Sequence, residues 1–155
     1  MSEEIITIEE ANNGTKELST APAFVKDAIK EAGMYISIPN PESQQSKAIL
    51  YQAMNSSKKI KDIDRANAIH PVGMIIRPDY IESENGSTIM APAVVLVDDS
   101  GETYMSHASG ILTSAKNLIS IFGEPSQWDD NMIIWCEQAQ SQRGRYYHFL
   151  QTAFI

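Results

Sequence analysis

Residues 93–122 read AVVLVDDSGETYMSHASGILTSAKNLISIF, and the fold turns on this stretch. Ala93 to Val97 is an unbroken apolar run of the β-branched kind that favours strands. Asp98-Asp99-Ser100-Gly101 supplies the side chains of a tight turn, and Glu102 to Ser106 returns as the partner strand, so a hairpin is predicted here. Periodicity then changes. From Ser109 to Phe122 the apolar residues Ile111, Leu112, Ala115, Leu118, Ile119 and Phe122 recur at three to four positions and form one helical stripe. Ser106 or Ser109 suits its N-cap, and Gly123 stands where a helix-ending glycine belongs.

Working outward, the C-terminal side holds a polar connector with Pro125 and Trp128 and then a second hairpin. Met132 to Ala139 goes out, Gln140 to Gly144 turns, and Arg145 to Phe154 comes back. On the N-terminal side, Ile69 to Tyr80 alternates as a strand and is followed by the turn Glu84-Asn85-Gly86-Ser87. Met34 to Ile38 alternates until Pro39-Asn40-Pro41 breaks it, whereas Lys47 to Met54 satisfies helix and strand patterns alike. This order predicts a mainly β chain with α: a five-stranded barrel of the oligonucleotide-binding type, its one helix between the third and fourth strands. The predicted domain runs over residues 34–155. Residues 1–33 form a separate acidic arm of net charge −4, with a short amphipathic helix whose stripe is Phe24, Val25, Ala28 and Ile29. That stripe must be buried somewhere, and self-association through the arm is the expected means.

Composition bounds the function. The 155 residues are 43% hydrophobic and 21% charged, the proportions of one soluble domain. No apolar run reaches the roughly 18 residues of a membrane helix, so no membrane partner is expected. The start, Met-Ser-Glu-Glu, is acidic where a secretory signal is basic, and Cys136 stands alone. A reduced, cytoplasmic compartment is expected, the host cytoplasm for a viral protein. A net charge of −8 excludes a protein that coats polyanions indiscriminately. It is compatible with a local basic groove, because exposed charges beyond about 10 Å are largely screened. Residues 58–65, at net +2, supply one such place.

Enzyme signatures are missing: no phosphate-binding loop, nucleophile elbow or metalloprotease motif occurs. Asp98-Asp99 and Asp129-Asp130 read first as turn residues, and His70, His107, His148 and Cys136 lack ligand spacing. No catalytic residue, metal or cofactor is therefore expected. Cations and rings are better placed. Single-stranded nucleic acid is held by bases stacked on aromatic rings and by Lys and Arg that track the phosphates. The last hairpin interleaves Trp135, Arg143, Arg145, Tyr146, Tyr147 and His148, with the adjacent tyrosines on opposite strand faces, one toward the core. Tyr51 with Lys58, Lys59, Lys61 and Arg65 forms a second cluster, read as a flexible basic loop beside an aromatic. Arg77 and Tyr80 close the first barrel strand and extend the same surface.

With these features in place, the segment from Ala66 to Ile155 resembles the single-stranded DNA-binding proteins encoded by small protein-primed Bacillus podoviruses. Four features carry the resemblance: Ala66-Asn67-Ala68-Ile69 opening a strand, the hairpin Val94 to Tyr104, the Ala/Leu/Ile helix Ala108 to Phe122, and the Arg-aromatic hairpin at the C-terminus. It covers about ninety residues, and the first sixty-five have no counterpart. It implies a barrel that coats displaced strands cooperatively and without sequence preference during DNA replication or recombination, alongside replication proteins. Rival readings from other classes are a viral structural or adaptor module using the helix of residues 20–33, and a metal-dependent nuclease acting through Asp98, Asp99 or Asp129.

Overall fold

Strand β6 (Ala93–Asp98) has no wet face: all six of its residues are buried, which is why its sequence shows no alternation. It is the middle strand of a five-stranded sheet ordered β1 (Tyr35–Ser37), β3 (Pro71–Arg77), β6, β7 (Thr103–Ser106), β2 (Lys58–Lys59). The computed structural model describes residues 33–56 and 58–155. The acidic arm of residues 1–33 therefore lies, Gly33 apart, outside the described residues.

Each face of β6 packs on a different cover. Val94 and Leu96 join a core with Ile60, Ile63 and Met74, with Ile111, Ala115 and Leu118 of helix α2 (Ser109–Phe122), and with Met132, Ile134, Trp135 and Leu150 of the last hairpin. Val95 and Val97 point the other way, to Met34, Ile36, Ile38 and Ile75, under Ala53, Ile49 and Leu50 of helix α1 (Gln44–Met54). Complete burial of one such aliphatic side chain contributes roughly 1.5–3 kcal/mol, so both covers are held strongly. Helix α1 resolves the ambiguity at residues 47–54. It begins earlier than that window, at a cap the periodicity does not contain: the Ser43 side chain accepts the Ser46 N–H at 3.0 Å. No described helix is long and apolar enough to cross a membrane.

The expected hairpins and helix are found, and the expected closed barrel is not. Beside the sheet stand two separate ribbons, β4 (Tyr80–Glu82) with β5 (Thr88–Met90) and β8 (Met132–Gln140) with β9 (Tyr146–Phe154). Among the described residues, the backbone hydrogen bonds that tie β8 to the sheet side are the reciprocal Ile69–Ile134 bonds, both 2.9 Å, and the Cys136 N–H bond to the Ile63 carbonyl at 2.8 Å. Helix α2, not a strand, covers the outer edge of β9. Ser114 Oγ accepts the Leu150 N–H at 3.1 Å and donates to the Gly110 carbonyl at 2.9 Å. With that edge satisfied by a helix, the ladder has nothing to close onto.

Smaller corrections follow from the same packing. Strand β3 ends at Arg77; Tyr80 opens an additional hairpin whose turn contains the expected Asn85-Gly86. The Lys58–Arg65 segment is not a flexible loop, because Lys58–Lys59 pairs in parallel with β7 and buried Ile60 and Ile63 pin the turns that follow. The N-cap of α2 is Ala108; Ser106 Oγ accepts the Ala108 N–H at 3.1 Å instead of capping the first turn. Gly123, at φ 84°, closes that helix by donating to the Ile119 carbonyl at 2.9 Å.

Gly110 is required by close approach: a Cβ built there overlaps the carbonyl oxygen of His148 and lies 3.6 Å from the Tyr147 ring. Gly110→Ala is therefore expected to push β9 from α2 and to lower stability by about 1–3 kcal/mol, read by urea denaturation. Ser114→Ala, which orphans the Leu150 N–H, is expected to cost a similar amount, about 1–3 kcal/mol. Unchanged midpoints for both variants would show that the helix does not hold this edge.

Candidate nucleic-acid interface

The last ribbon carries an unbroken ladder from Met132↔Phe154 to Gln140↔Tyr146, and its tip extends past the first turn of α2. The tip is built, not loose. Gly144 N–H donates to the Ser141 carbonyl at 2.9 Å, Ser141 N–H to the Arg145 carbonyl at 2.7 Å, and the Gln140 side chain to the Gly144 carbonyl at 3.0 Å. Arg143 and Arg145 are exposed there, and no described carboxylate pairs with either. Tyr146 and Tyr147 point to opposite faces of the ribbon, yet both are exposed, at 66% and 45%. The expectation that one of them faces the core fails because the ribbon has outrun the core at this point. Tyr147 leans on Phe149, ring centroids 6.0 Å apart, which fixes its orientation.

Next to the tip lies a cleft of about 200 Å³ lined by Lys59 and Lys61, by Ser106 and His107 from the β7–α2 junction, and by His148 of β9. His148 stands two residues from Tyr146 and so shares its face of the strand. On the far side, His107 Nε2 meets Asp79 Oδ2 at 2.7 Å, and Arg77 Nη1 reaches the same oxygen at 3.4 Å. Asp79 is the root of the β4–β5 arm: its other carboxylate oxygen accepts the Tyr80 N–H at 2.9 Å and its carbonyl the Ala91 N–H at 2.8 Å. That arm holds Tyr80 at 68% exposure, with Ile89 and Met90 also exposed. Two hairpins thus flank one basic cleft.

The structure gathers some of the expected residues and sets others apart. Lys59, Lys61, Arg143, Arg145, Tyr146 and Tyr147 lie along the tip and cleft, and Tyr80 begins the second arm. Trp135 is only 2% exposed; its indole N–H donates to Glu137 at 2.8 Å, so its ring is core and offers no stacking face. Arg65 covers that ring, its guanidinium carbon 4.9 Å from the centroid. Arg77 is 12% exposed and holds Asp79, Met54 and Met105 together, a structural assignment where a phosphate contact was expected. Lys58 pairs with Glu102 at 2.7 Å, and that bond raises its pKa. With exposed Tyr51 it borders a different depression of about 610 Å³, beneath α1.

Two of the carboxylates offered for a nuclease, Asp98 and Asp129, are occupied as acceptors. Buried Asp98 takes Ser100 N–H, Ser100 Oγ and Glu102 N–H on one oxygen and the Tyr104 hydroxyl, at 3.1 Å, on the other. Burial, followed by that carboxylate, pushes the Tyr104 pKa up. Asp129 accepts the Asn131 N–H at 2.8 Å in its own turn. Among the described residues no three His, Cys, Asp or Glu side chains are grouped to hold a metal ion. Burial raises the Cys136 pKa and keeps the thiol protonated. The sequence reading missed His107 in the cleft, because only the tertiary fold brings β7 to β2. His148, by contrast, was legible from its alternation with Tyr146.

The bond from His107 first, and the Arg77 charge further down, hold the Asp79 carboxyl below its ordinary value of 3.8. A depressed carboxyl stabilises the folded arm fully above the ordinary aspartate range, and this contribution is lost as pH falls through the folded value. The protection factors of amides in residues 80–90, taken against the intrinsic exchange rate at each pH, are therefore expected to fall on acidification below about pH 4 while β6 stays protected, and Asp79→Asn is expected to produce the same loosening at neutral pH. An arm that stays equally protected in both cases would remove Asp79 as its root.

The family described as phage single-stranded DNA-binding protein matches residues 31–153, from before β1 to the penultimate residue of β9. No curated protein and no solved structure matches the chain.

Proposed function

The chain belongs to the family of phage single-stranded DNA-binding proteins, and from that premise we propose that it grips the strand along the β8–β9 tip and the adjoining basic cleft. The family function is to bind single-stranded DNA in phage DNA replication. One observation carries the assignment to this surface: Tyr146 and Tyr147, with unpaired Arg143 and Arg145 beside them, are presented on a rigid tip outside the core. Rings take unstacked bases and guanidinium groups take phosphates, without reading a sequence. Tyr80 on the opposite arm provides a further ring. The acidic body repels duplex approaching elsewhere.

The order of sheet, helix and final hairpin supports an opened relative of the oligonucleotide-binding fold, with residues 34–155 as the binding domain. The acidic arm of residues 1–33 is ill suited to touch phosphates, and its apolar stripe suits contact with a neighbouring copy. The protein acts by coating, with no chemical step of its own, in the host cytoplasm and beside the replication proteins.

Both tryptophans, Trp128 and Trp135, are buried and dominate the intrinsic emission without facing a strand, so the anisotropy of a labelled oligothymidine is the natural reporter. Oligothymidine is expected to bind tightly by this measure, while duplex of equal length binds far more weakly. Tyr146→Ala and Tyr147→Ala are each expected to weaken binding roughly tenfold, since a stacked base contributes about 1–3 kcal/mol. Arg143→Ala with Arg145→Ala is expected to flatten the slope of log affinity against log salt by about 1.4, two phosphates at about 0.7 each. Equal affinity for duplex, or a slope unchanged in the double variant, would move the grip off this hairpin.

A further inference from the structure

We propose that the cleft between β2, the β7–α2 junction and β9 seats one phosphodiester group of the bound strand, held by Lys59 and Lys61 with His148 and Ser106 at its sides. The inference rests on the functional reading above and assigns one anion subsite within it.

The local sequence builds the cleft. Lys59 and Lys61 bracket Ile60, whose side chain is fully buried. Driving Ile60 into the core with Ile63 fixes the short helical turn of residues 60–62 and holds both lysines at one cleft. Pairing with β7, Lys59↔Met105, fixes the other wall. Lys58, one residue earlier, has Glu102; Lys59 and Lys61 have no described carboxylate. Asp79 touches the cleft's His107, and its carboxylate is already shared between His107 and Arg77. The cleft is thus left positive in a molecule of net charge −8.

Size selects the ligand. A cleft of about 200 Å³ falls below the roughly 300–1,000 Å³ of pockets that enclose whole organic ligands. A tetrahedral anion fits it with room for bridging water, and the two lysines select its charge. Two of its lining residues, Met105 and Ala108, are apolar and strengthen the attraction by excluding water. It also borders the start of α2, where Ala108 brings no capping side chain, and the helix dipole adds to the attraction that the lysines provide.

Position selects the source. Residues two apart on a strand are separated by about 6.6 Å, so His148 lies beside Tyr146 on the same ribbon face. A base stacked on Tyr146 therefore brings a phosphate of its own strand to the mouth of the cleft. A free inorganic phosphate has the same chemistry but no reason to depend on that ring.

The test uses the full chain with two probes, oligothymidine and inorganic phosphate. Lys59→Ala with Lys61→Ala is expected to weaken oligothymidine binding about tenfold at low salt and to flatten the salt slope by about 0.7, the value of one phosphate. The anisotropy of labelled oligothymidine at saturation should be kept, and Lys116→Ala, on the exposed side of α2, should change neither affinity nor slope. Inorganic phosphate is expected to shift the amide resonances of residues 106–110 and 148, and oligothymidine to shift them further and displace it. If the double lysine variant keeps the wild-type slope while the Arg143 and Arg145 variant flattens it, the subsite is wrong and the functional reading stands. If phosphate shifts these resonances and oligothymidine does not, the cleft is a free-anion site and the assignment to DNA falls. If the wild-type chain does not bind oligothymidine at all, the functional reading fails, and this inference with it.

Discussion

A central strand without a wet face needs two covers, and the covers chosen for β6 decide everything else in this molecule. Val94 and Leu96 face one way, Val95 and Val97 the other, and neither set tolerates water. Helix α1 lies under one face. The other is too broad for one helix and is shared by α2 and the β8–β9 ribbon. That shared cover puts the ribbon where its base is core and its tip is free. It also brings the β7–α2 junction against β9, with Gly110 as the residue that permits the approach. The proposed interface is therefore a by-product of covering the sheet: the residues assigned to binding stand just beyond those that pack.

The same economy separates charges by task. Of the cations expected to meet phosphates, Arg77 fixes the root of an arm, Arg65 covers an indole and Lys58 answers Glu102. Lys59, Lys61, Arg143 and Arg145 have no ion pair among the described residues and lie toward one end of the ribbon. An acidic chain thereby keeps a local basic surface, and charge placement, not total charge, makes polyanion binding compatible with a net of −8.

What the sequence revealed divides along a physical line. The β6–β7 hairpin, helix α2 from Ser109 to Phe122 and the final hairpin were legible to within about one residue, because each is written in local signals: an Asp-Asp-Ser-Gly turn, a 3.6-residue stripe, a glycine between β runs. Residues 44–54 were not, since their periodicity serves two structures and the deciding Ser43 cap lies outside the ambiguous window. Barrel closure was not legible either. Whether β9 meets a strand or a helix depends on Ser114 meeting Leu150, thirty-six residues away. At the candidate site, adjacency on the hairpin was enough to place Arg143, Arg145, Tyr146 and Tyr147 on one exposed tip. Trp135 was misplaced because an alternating strand half in the core looks the same whichever face is buried, and the Lys59–His107 proximity exists only after β2 has joined β7.

The β4–β5 arm has a colloidal consequence. It is a two-stranded ribbon with both outer edges unpaired among the described residues, and it exposes Tyr80, Ile89 and Met90. Such an edge is a template for strand addition from another copy. Over residues 80–90 the ionisable acids are Glu82 and Glu84, with no lysine or arginine to offset them, so two arms meeting edge to edge carry like charges and separate. Solubility at the concentrations a coating protein must reach thus depends on two glutamates at the end of a bare ribbon. That safeguard weakens as the solution nears the isoelectric point of about 4.8, where carboxylate repulsion fades and edge-to-edge assembly becomes the default fate of crowded chains.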